Sequence, residues 1–283
     1  MCYTQAEFHH AIGEGIVTAP MTLLKLMTFN VRVNTPYDGE NAWPYRVPAV
    51  AQAIRNSQAA IIGTQEMRPP MIDDLVPLLP EYRWVGGDRG DGETSSIGYR
   101  PDLVELLETG DFMLSETPDQ FGRKGWDADC PRICTWALLR TIEDGRKFAF
   151  FNAHLDHVGL EARWRSIVLI MERMDSFVKQ YGPELPLVLT GDMNSEPNER
   201  CIALMSDERV NTIGLKNGYD IMLEPADDRR TFHEYKGGNQ GEPIDYIFHS
   251  AQLHPVSIWI DRDQVDGRYP SDHYPVVMEL ALE

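Results

Sequence analysis

Apolar residues divide the chain into short strand-like runs and two longer helical ones, separated by polar segments that carry glycine or proline. The run LLKLMTFNVRV from Leu23 is rich in apolar and β-branched residues and ends at polar Asn34, as a core strand does when it emerges into a loop. From Trp43 to Ser57 the spacing of Val47, Val50, Ala51 and Ile54 predicts an amphipathic helix with Pro48 in its first turn. AAIIGTQE reads as a second buried strand whose last polar residues reach the sheet edge. MIDDLVPLL predicts a short helix, and EYRWVGG and TSSIGYR predict strands on either side of the turn GDRGDGE. RICTWALLR, KFAFFNAHLD and LPLVLTGDMN are further strands, with RWRSIVLIMERMDSFVKQYG a helix between the last two. PIDYIFHS, VSIWIDR and YPVVMELAL follow the glycine-rich loop KGGNQG.

Many strands and few helices argue for an α/β sandwich, with sheets packed face to face and helices outside. No repeat, linker or shift of composition interrupts the order, so one domain is expected over residues 23–283, behind an N-terminal arm of residues 1–22 that carries no usable motif. The 283 residues are 42% hydrophobic and 25% charged, the composition of an ordinary folded enzyme. Acidic residues number 44 against 26 basic ones, a net charge of -18, so the overall field repels a polyanion and speaks against general binding of duplex DNA. Bound cations or a local basic pocket would still permit phosphate chemistry. Four cysteines are too few for a disulfide framework, and Cys130 and Cys134 in CPRIC lack the further ligand pair that a zinc site needs. With no apolar run long enough to span a bilayer and no export-signal pattern at the start, the expected compartment is the cytoplasm.

Candidate chemistry gathers at the strand ends. TFN supplies Asn30, TQE Glu66, NAHLD Asn152, His154 and Asp156, TGDMN Asp192 and Asn194, IDYIF Asp245, and SDH Asp272 and His273. Residues i and i+2 of a strand face the same side, so Asn152 with His154, and Asp192 with Asn194, project together. Asp192 and Asn194 alone could serve only a turn, and His273 alone only a structural hydrogen bond; their coincidence with other polar strand ends argues for a site. So many oxygen donors suit a hard cation, Mg²⁺ or Mn²⁺, better than zinc.

TFN, QE, NAHLDH, GDMN, IDYIF and SDH, in that order over residues 24 to 282, resemble the endonuclease/exonuclease/phosphatase superfamily of metal-dependent phosphoesterases, closest in form to its deadenylase-like and small bacterial branches. The resemblance implies a DNase I-like, four-layer α/β sandwich of two mostly antiparallel β-sheets with helices outside. It implies that Glu66 is the principal metal carboxylate, with Asn30 adjacent and Asp272 completing the metal environment. Asp192 and Asn194 resemble the pair that positions water and phosphoryl oxygens, His273 the catalytic imidazole oriented by Asp245, and His154 and Asn152 the phosphate contacts. Either His273 or Asp192 could activate water, and one metal or two would use nearly the same residues.

Asp156 and His157 could support substrate geometry or cap the helix before GLEARW. Tyr99 could touch phosphate or simply pack. Arg100 and Arg163 could bring positive charge to the site or form surface ion pairs, and Trp43, Trp126 and Phe232 could line a substrate pocket or the core. The expected reaction is hydrolysis of a phosphodiester or phosphomonoester by activated water, with Mg²⁺ as cofactor and Mn²⁺ as an alternative. The expected partner is a phosphorylated small molecule or a short oligonucleotide, chosen by loops 34 to 45, 115 to 132 and 225 to 243. A deadenylase-like 3′-5′ exoribonuclease on single-stranded RNA is one alternative, and a noncatalytic ligand-binding protein on the same scaffold is another.

Overall fold

Alternation sorts the first strand, β1 (Thr22–Asn30), into two faces: Leu24 and Leu26 enter one core, and Met27 and Phe29 enter another. The computed structural model describes residues 22–282, so the arm expected at 1–22 lies outside the described residues except for Thr22, which opens β1. After β1 come α1 (Trp43–Ser57), β2 (Ile61–Gln65), α2 (Pro69–Leu75), β3 (Arg83–Val85), β4 (Ile97–Tyr99), β5 (Val104–Met113), β6 (Ile133–Thr141) and β7 (Lys147–His154). The remaining elements are α3 (Leu160–Tyr181), β8 (Leu187–Asp192), α4 (Arg200–Ala203), β9 (Lys216–Asn217), β10 (Asp245–His249), β11 (Leu253–Ile260) and β12 (Val276–Leu282).

The strands form two six-stranded sheets, in the orders β11-β12-β1-β2-β4-β3 and β5-β6-β7-β8-β10-β9. Each sheet has one parallel pair at its centre, β1 with β2 and β7 with β8, and every other pairing is antiparallel. The parallel pairs are the ones bridged by the long helices, because a parallel connection must cross over the sheet. β1 packs on β8 and β10 while β2 packs on β7 and β8, so the sheets lie face to face. On the outer face of the first sheet, Trp43, Val50 and Ile54 of α1 cover Met27, Phe29 and Ile62. On the second, Phe177 of α3 meets Phe151 and Trp136 edge-on, at centroid distances of 5.1 and 4.8 Å. The expected sandwich is therefore the observed one.

Several details differ from the sequence reading, which marked neither the four-residue α4 nor the two-residue β9. β5 is a ten-residue edge strand where none was expected; a register shift between Leu106 and Glu108 breaks its alternation and most of its side chains are incompletely buried, so it carries little hydrophobic signal. Pro48 lies inside α1, whose first turn holds Pro44 instead. The short helix expected over MIDDLVPLL starts earlier, at Pro69, and stops at Leu75.

Candidate active site

Parallel strands released on the same side of two facing sheets bring their carboxyl ends to one edge, where α/β sheets place ligands. Asn30 pairs with Gln65 across the first sheet, and in the second His154 pairs with Asp192, which also pairs with Asp245. The segment Ser271–His273 enters from beside β12, and the Ser271 hydroxyl donates to the Asn30 carbonyl at 2.6 Å. The backbone bends sharply as it leaves this edge. Arg32, Glu66 and Asn194 all have positive φ, at 57°, 61° and 47°, the sparsely populated conformation that non-glycine residues keep only where surrounding contacts hold it.

Asn30 is the hub of the first carboxylate group. Its Nδ2 donates to Glu66 Oε1 at 3.0 Å and to Asp192 Oδ2 at 2.9 Å, and its Oδ1 accepts from the Arg32 N–H at 2.9 Å. Glu66 Oε2 accepts from the Val33 N–H at 2.8 Å. Arg32 stands between Glu66 and Asp272, with Nη1 3.9 Å from Glu66 Oε2 and Nε 3.7 Å from Asp272 Oδ2. Burial pushes the Glu66 carboxyl up, yet the group is held below its ordinary value, where the Val33 N–H and the Asn30 amide donate to it. Burial raises the Asp272 carboxyl, and the Glu66 charge raises it further. The Glu66 and Asp272 carboxylates line the cavity with oxygen donors of the kind a hard divalent cation takes, while the Asn30 amide behind them holds Glu66 and Asp192 in place.

His273 and Asp192 form the second group. The Asp245 carboxylate can only accept, so the 2.9 Å contact with His273 Nδ1 puts a proton on that nitrogen and turns Nε2 toward Asp192 Oδ2, 3.8 Å away. Burial works against a charged His273, yet Asp245 and Asp192 raise its pKa to about 10. Asp192 itself is raised by burial and by the Asp245 charge. Asp245 Oδ1 is buried without a hydrogen-bond partner, and the ligand atoms of Asp192, Asp245 and His273 cluster closely enough to hold a metal ion. His154 is the opposite case: burial and the Arg132 charge pull its pKa down to about 3, so the ring is neutral. Its Nε2 meets Asn194 Nδ2 at 3.0 Å, while its buried Nδ1 has no hydrogen bond and lies 3.7 Å from Glu93 Oε1.

Glu66, His154, Asp192, Asn194, Asp272 and His273 wall a cavity of ≈ 340 Å³, with Asn30 and Asp245 fully buried behind them. Its far side holds residues that the sequence reading passed over. Arg89 is bidentate to Asp91, at 2.9 and 3.0 Å, and its Nη1 is 2.6 Å from Glu93 Oε1. Arg132 reaches Asp156 at 3.3 Å and His157 at 3.0 Å. Arg89 and Glu93 lie within GDRGDGE, which reads as a mere turn; the only signal there was opposite charges four residues apart. Phe232 completes the wall, 41% exposed, with its ring 4.9 Å from that of His273.

The structure does not bring every expected residue to the cavity. Asn152 lies beneath it, fully buried. Its Nδ2 donates to the carbonyls of Thr64 and Ser96, and its Oδ1 accepts from Gln65 Nε2 at 2.7 Å and the Thr190 hydroxyl at 3.1 Å. Asp156 is also buried, accepting from the N–H groups of Asp129, Cys130, Val158 and Gly159, and it positions the loop and Arg132. Those donors overcome burial and hold it well below the ordinary aspartate value. Arg163 faces a separate cavity, bonded to Glu199 at 2.9 Å and to the Asp156 carbonyl. Tyr99 packs in β4, Trp43 is buried under α1, and Arg100 pairs with Asp102 at 2.6 Å.

A family model described as the Endonuclease/Exonuclease/phosphatase family matches residues 27–273. Among solved structures, the endonuclease/exonuclease/phosphatase from Bacteroides vulgatus is 35% identical and superposes with a TM-score of 0.84, over 93% of this chain and 100% of that one. The mannosyl-6-phosphatase of Bacteroides thetaiotaomicron VPI-5482 is 34% identical with a TM-score of 0.80, over 91% and 99%. Nocturnin from Drosophila melanogaster is 23% identical over 85% of this chain, which spans 42% of the length of that protein.

Proposed function

The chain belongs to the Endonuclease/Exonuclease/phosphatase family, whose members hydrolyse phosphoesters, and from that premise we propose that it is a divalent-metal-dependent phosphomonoesterase acting on a small phosphorylated substrate. The observation that carries the choice is the cavity: ≈ 340 Å³ lies near the bottom of the roughly 300–1,000 Å³ range of ligand pockets and suits a phosphate on one ring better than a polymer. The phosphatase named among the structural neighbours supports the same choice. Glu66, Asp272 and Asn30 are the residues we assign to the cation. The Glu66 and Asp272 carboxylates would supply the hard donors, with the Asn30 amide holding Glu66, and the ion would supply charge neutralisation at the phosphoryl group.

His273 and Asp192 divide the remaining work. Their 3.8 Å separation exceeds a direct hydrogen bond, and both side chains line the cavity. A cationic His273 stabilises charge on the phosphoryl oxygens, which leaves the Asp192 carboxylate to accept the proton from the attacking water. Asn194 Nδ2 donates to the Leu155 carbonyl and to Nε2 of the neutral His154, so the amide orients that ring and leaves its proton on Nδ1. Magnesium is the expected ion and Mn²⁺ an alternative, and the cytoplasm suits the three unbridged cysteines among the described residues. A second reading, cleavage of short single-stranded RNA from its 3′ end, is favoured by Phe232, an exposed ring on which a base could stack.

The test is a hydrolysis panel of sugar phosphates, other phosphomonoesters, oligoadenylate, mixed RNA, DNA and phosphodiester lipids, with products identified by mass. Turnover of small monoesters that a chelator abolishes and Mg²⁺ or Mn²⁺ restores is the expected result. Stepwise nucleotide release with no monoester turnover would transfer the site to the exonuclease reading. Ligand binding without turnover of anything would make the chain a binding module.

A further inference from the structure

Arg32 had no place in the sequence reading, yet it is among the most firmly held side chains of the cavity wall. Its Nε and Nη2 donate to both oxygens of Asp38, at 3.0 and 2.9 Å. Its backbone keeps a φ of 57°, which a non-glycine residue adopts only under constraint. The constraint comes from Arg46, a fully buried arginine that makes no ion pair among the described residues. Arg46 donates instead to carbonyls: Val31 at 2.8 Å, Arg32 at 3.0 Å, Asn41 at 2.5 Å and Pro270 at 2.6 Å. One buried cation thus clamps the exit of β1 against the segment that leads into Asp272 and His273.

What this clamp presents is a guanidinium edge. Nη1 of Arg32 makes no hydrogen bond among the described residues and lines the same cavity as Glu66, Asp192 and His273. A fixed guanidinium beside carboxylates assigned to a cation would only repel that cation, unless an anion is meant to lie against both. The terminal phosphate of a monoester carries one more charge than a diester, and it offers an oxygen where the diester carries a second ester group. Arginine's planar donor fork matches phosphate oxygens. We propose that Arg32 is the residue that selects a terminal phosphate, its free Nη1 taking the phosphoryl oxygen that a diester lacks. This rests on the phosphomonoesterase reading of the site and adds the residue that would make it choose monoesters.

The test uses the full chain with Arg32→Gln, Arg32→Lys and Asp38→Asn. Three quantities are read: binding of inorganic phosphate by calorimetry at saturating Mg²⁺, kcat/KM on para-nitrophenyl phosphate and on bis(para-nitrophenyl) phosphate, and Mn²⁺ binding by electron paramagnetic resonance. Loss of one charge-assisted hydrogen bond should weaken phosphate binding about 30-fold in Arg32→Gln, and reduce kcat/KM for the monoester by a similar factor while changing the diester less than about threefold. Arg32→Lys should recover part of the loss, and Asp38→Asn, which loosens the guanidinium without removing it, should show the same pattern at smaller size. Equal losses on both esters would overturn the proposal. So would unchanged phosphate binding accompanied by tighter Mn²⁺ binding, which would make Arg32 a neutraliser of Glu66 and Asp272. A wild-type protein that turns over only the diester would sink the phosphomonoesterase reading instead, and the phosphate titration would still judge Arg32.

Discussion

The two histidines of the cavity show how position fixes charge at the scale of one residue. His154, buried beside Arg132 and without a carboxylate in hydrogen-bond contact, is driven neutral; His273, equally buried but between Asp245 and Asp192, is driven cationic. For His273 the pKa rises from 6.5 to about 10 on folding. Between those values the folded state binds more protons than the unfolded one, so this contribution to stability is fully present below about pH 6.5 and disappears as pH climbs through about 10. In chelated protein, the stability advantage of wild type over His273→Gln should therefore shrink from pH 6.5 to pH 10, as measured by urea denaturation at each pH; an advantage that grows with pH would contradict the assignment. In activity, His273→Gln should cost about 10²–10³-fold in kcat, the range for loss of one preorganised donor to the charge that develops in the transition state. Most of this residue set was readable from the sequence because period-two alternation tells which side chains share a face. It does not tell depth. Asn152 and His154 face the same way, but two residues along a strand is roughly 7 Å, enough to put His154 at the cavity and Asn152 in the floor.

Below that floor the elements meet through a polar layer. Gln65, Asn152 and Thr190 form one hydrogen-bonded set between the sheets, and Gly63 is the point of closest approach. A Cβ at Gly63 would stand 2.4 Å from Thr190 Oγ1 and 2.5 Å from Asn152 Oδ1, and both of those atoms belong to the bonded layer. Gly63→Ala should therefore destabilise the fold by about 1–3 kcal/mol, the usual cost of overpacking, read as a lower denaturation midpoint. Because Glu66 lies three residues further on, metal binding should weaken with it; unchanged stability would mean that the sheets can part at no cost. At this scale the sequence showed the elements whose pattern is periodic, such as α1, where the expected and observed spans coincide. It missed β5, where the shift at Leu106/Glu108 breaks the alternation on an edge strand, and it missed the chemistry of the loop that holds Arg89 and Glu93, because charges inside a glycine-rich turn look solvated until a second loop packs over them.

Over the whole molecule, charge and site pull in opposite directions. The chain carries a net charge of -18, while its cavity sets Arg32, Arg89 and Arg132 among Glu66, Glu93, Asp192 and Asp272, so that it would attract an anion once a cation is bound. The Debye length is about 10 Å at 0.1 M salt, so an approaching anion feels the repulsive exterior first and the arginines only on contact. A small phosphate ester can pass that barrier, whereas a polymer would have to lay further phosphates along an acidic surface. The sign of the salt response therefore tells whether the encounter is governed by the acidic exterior or by basic contacts along a polymer. A protein that tracks a nucleic acid backbone loses affinity as a power of salt concentration, through release of counterions. Here kcat/KM for a small monoester should rise modestly between about 10 and about 100 mM salt as the exterior repulsion is screened, with binding of duplex DNA undetectable throughout. Initial rates across a salt series with the metal saturating would decide it. A steep fall with salt would mean that local arginines dominate the encounter, and it would return a short oligonucleotide to first place among the substrates.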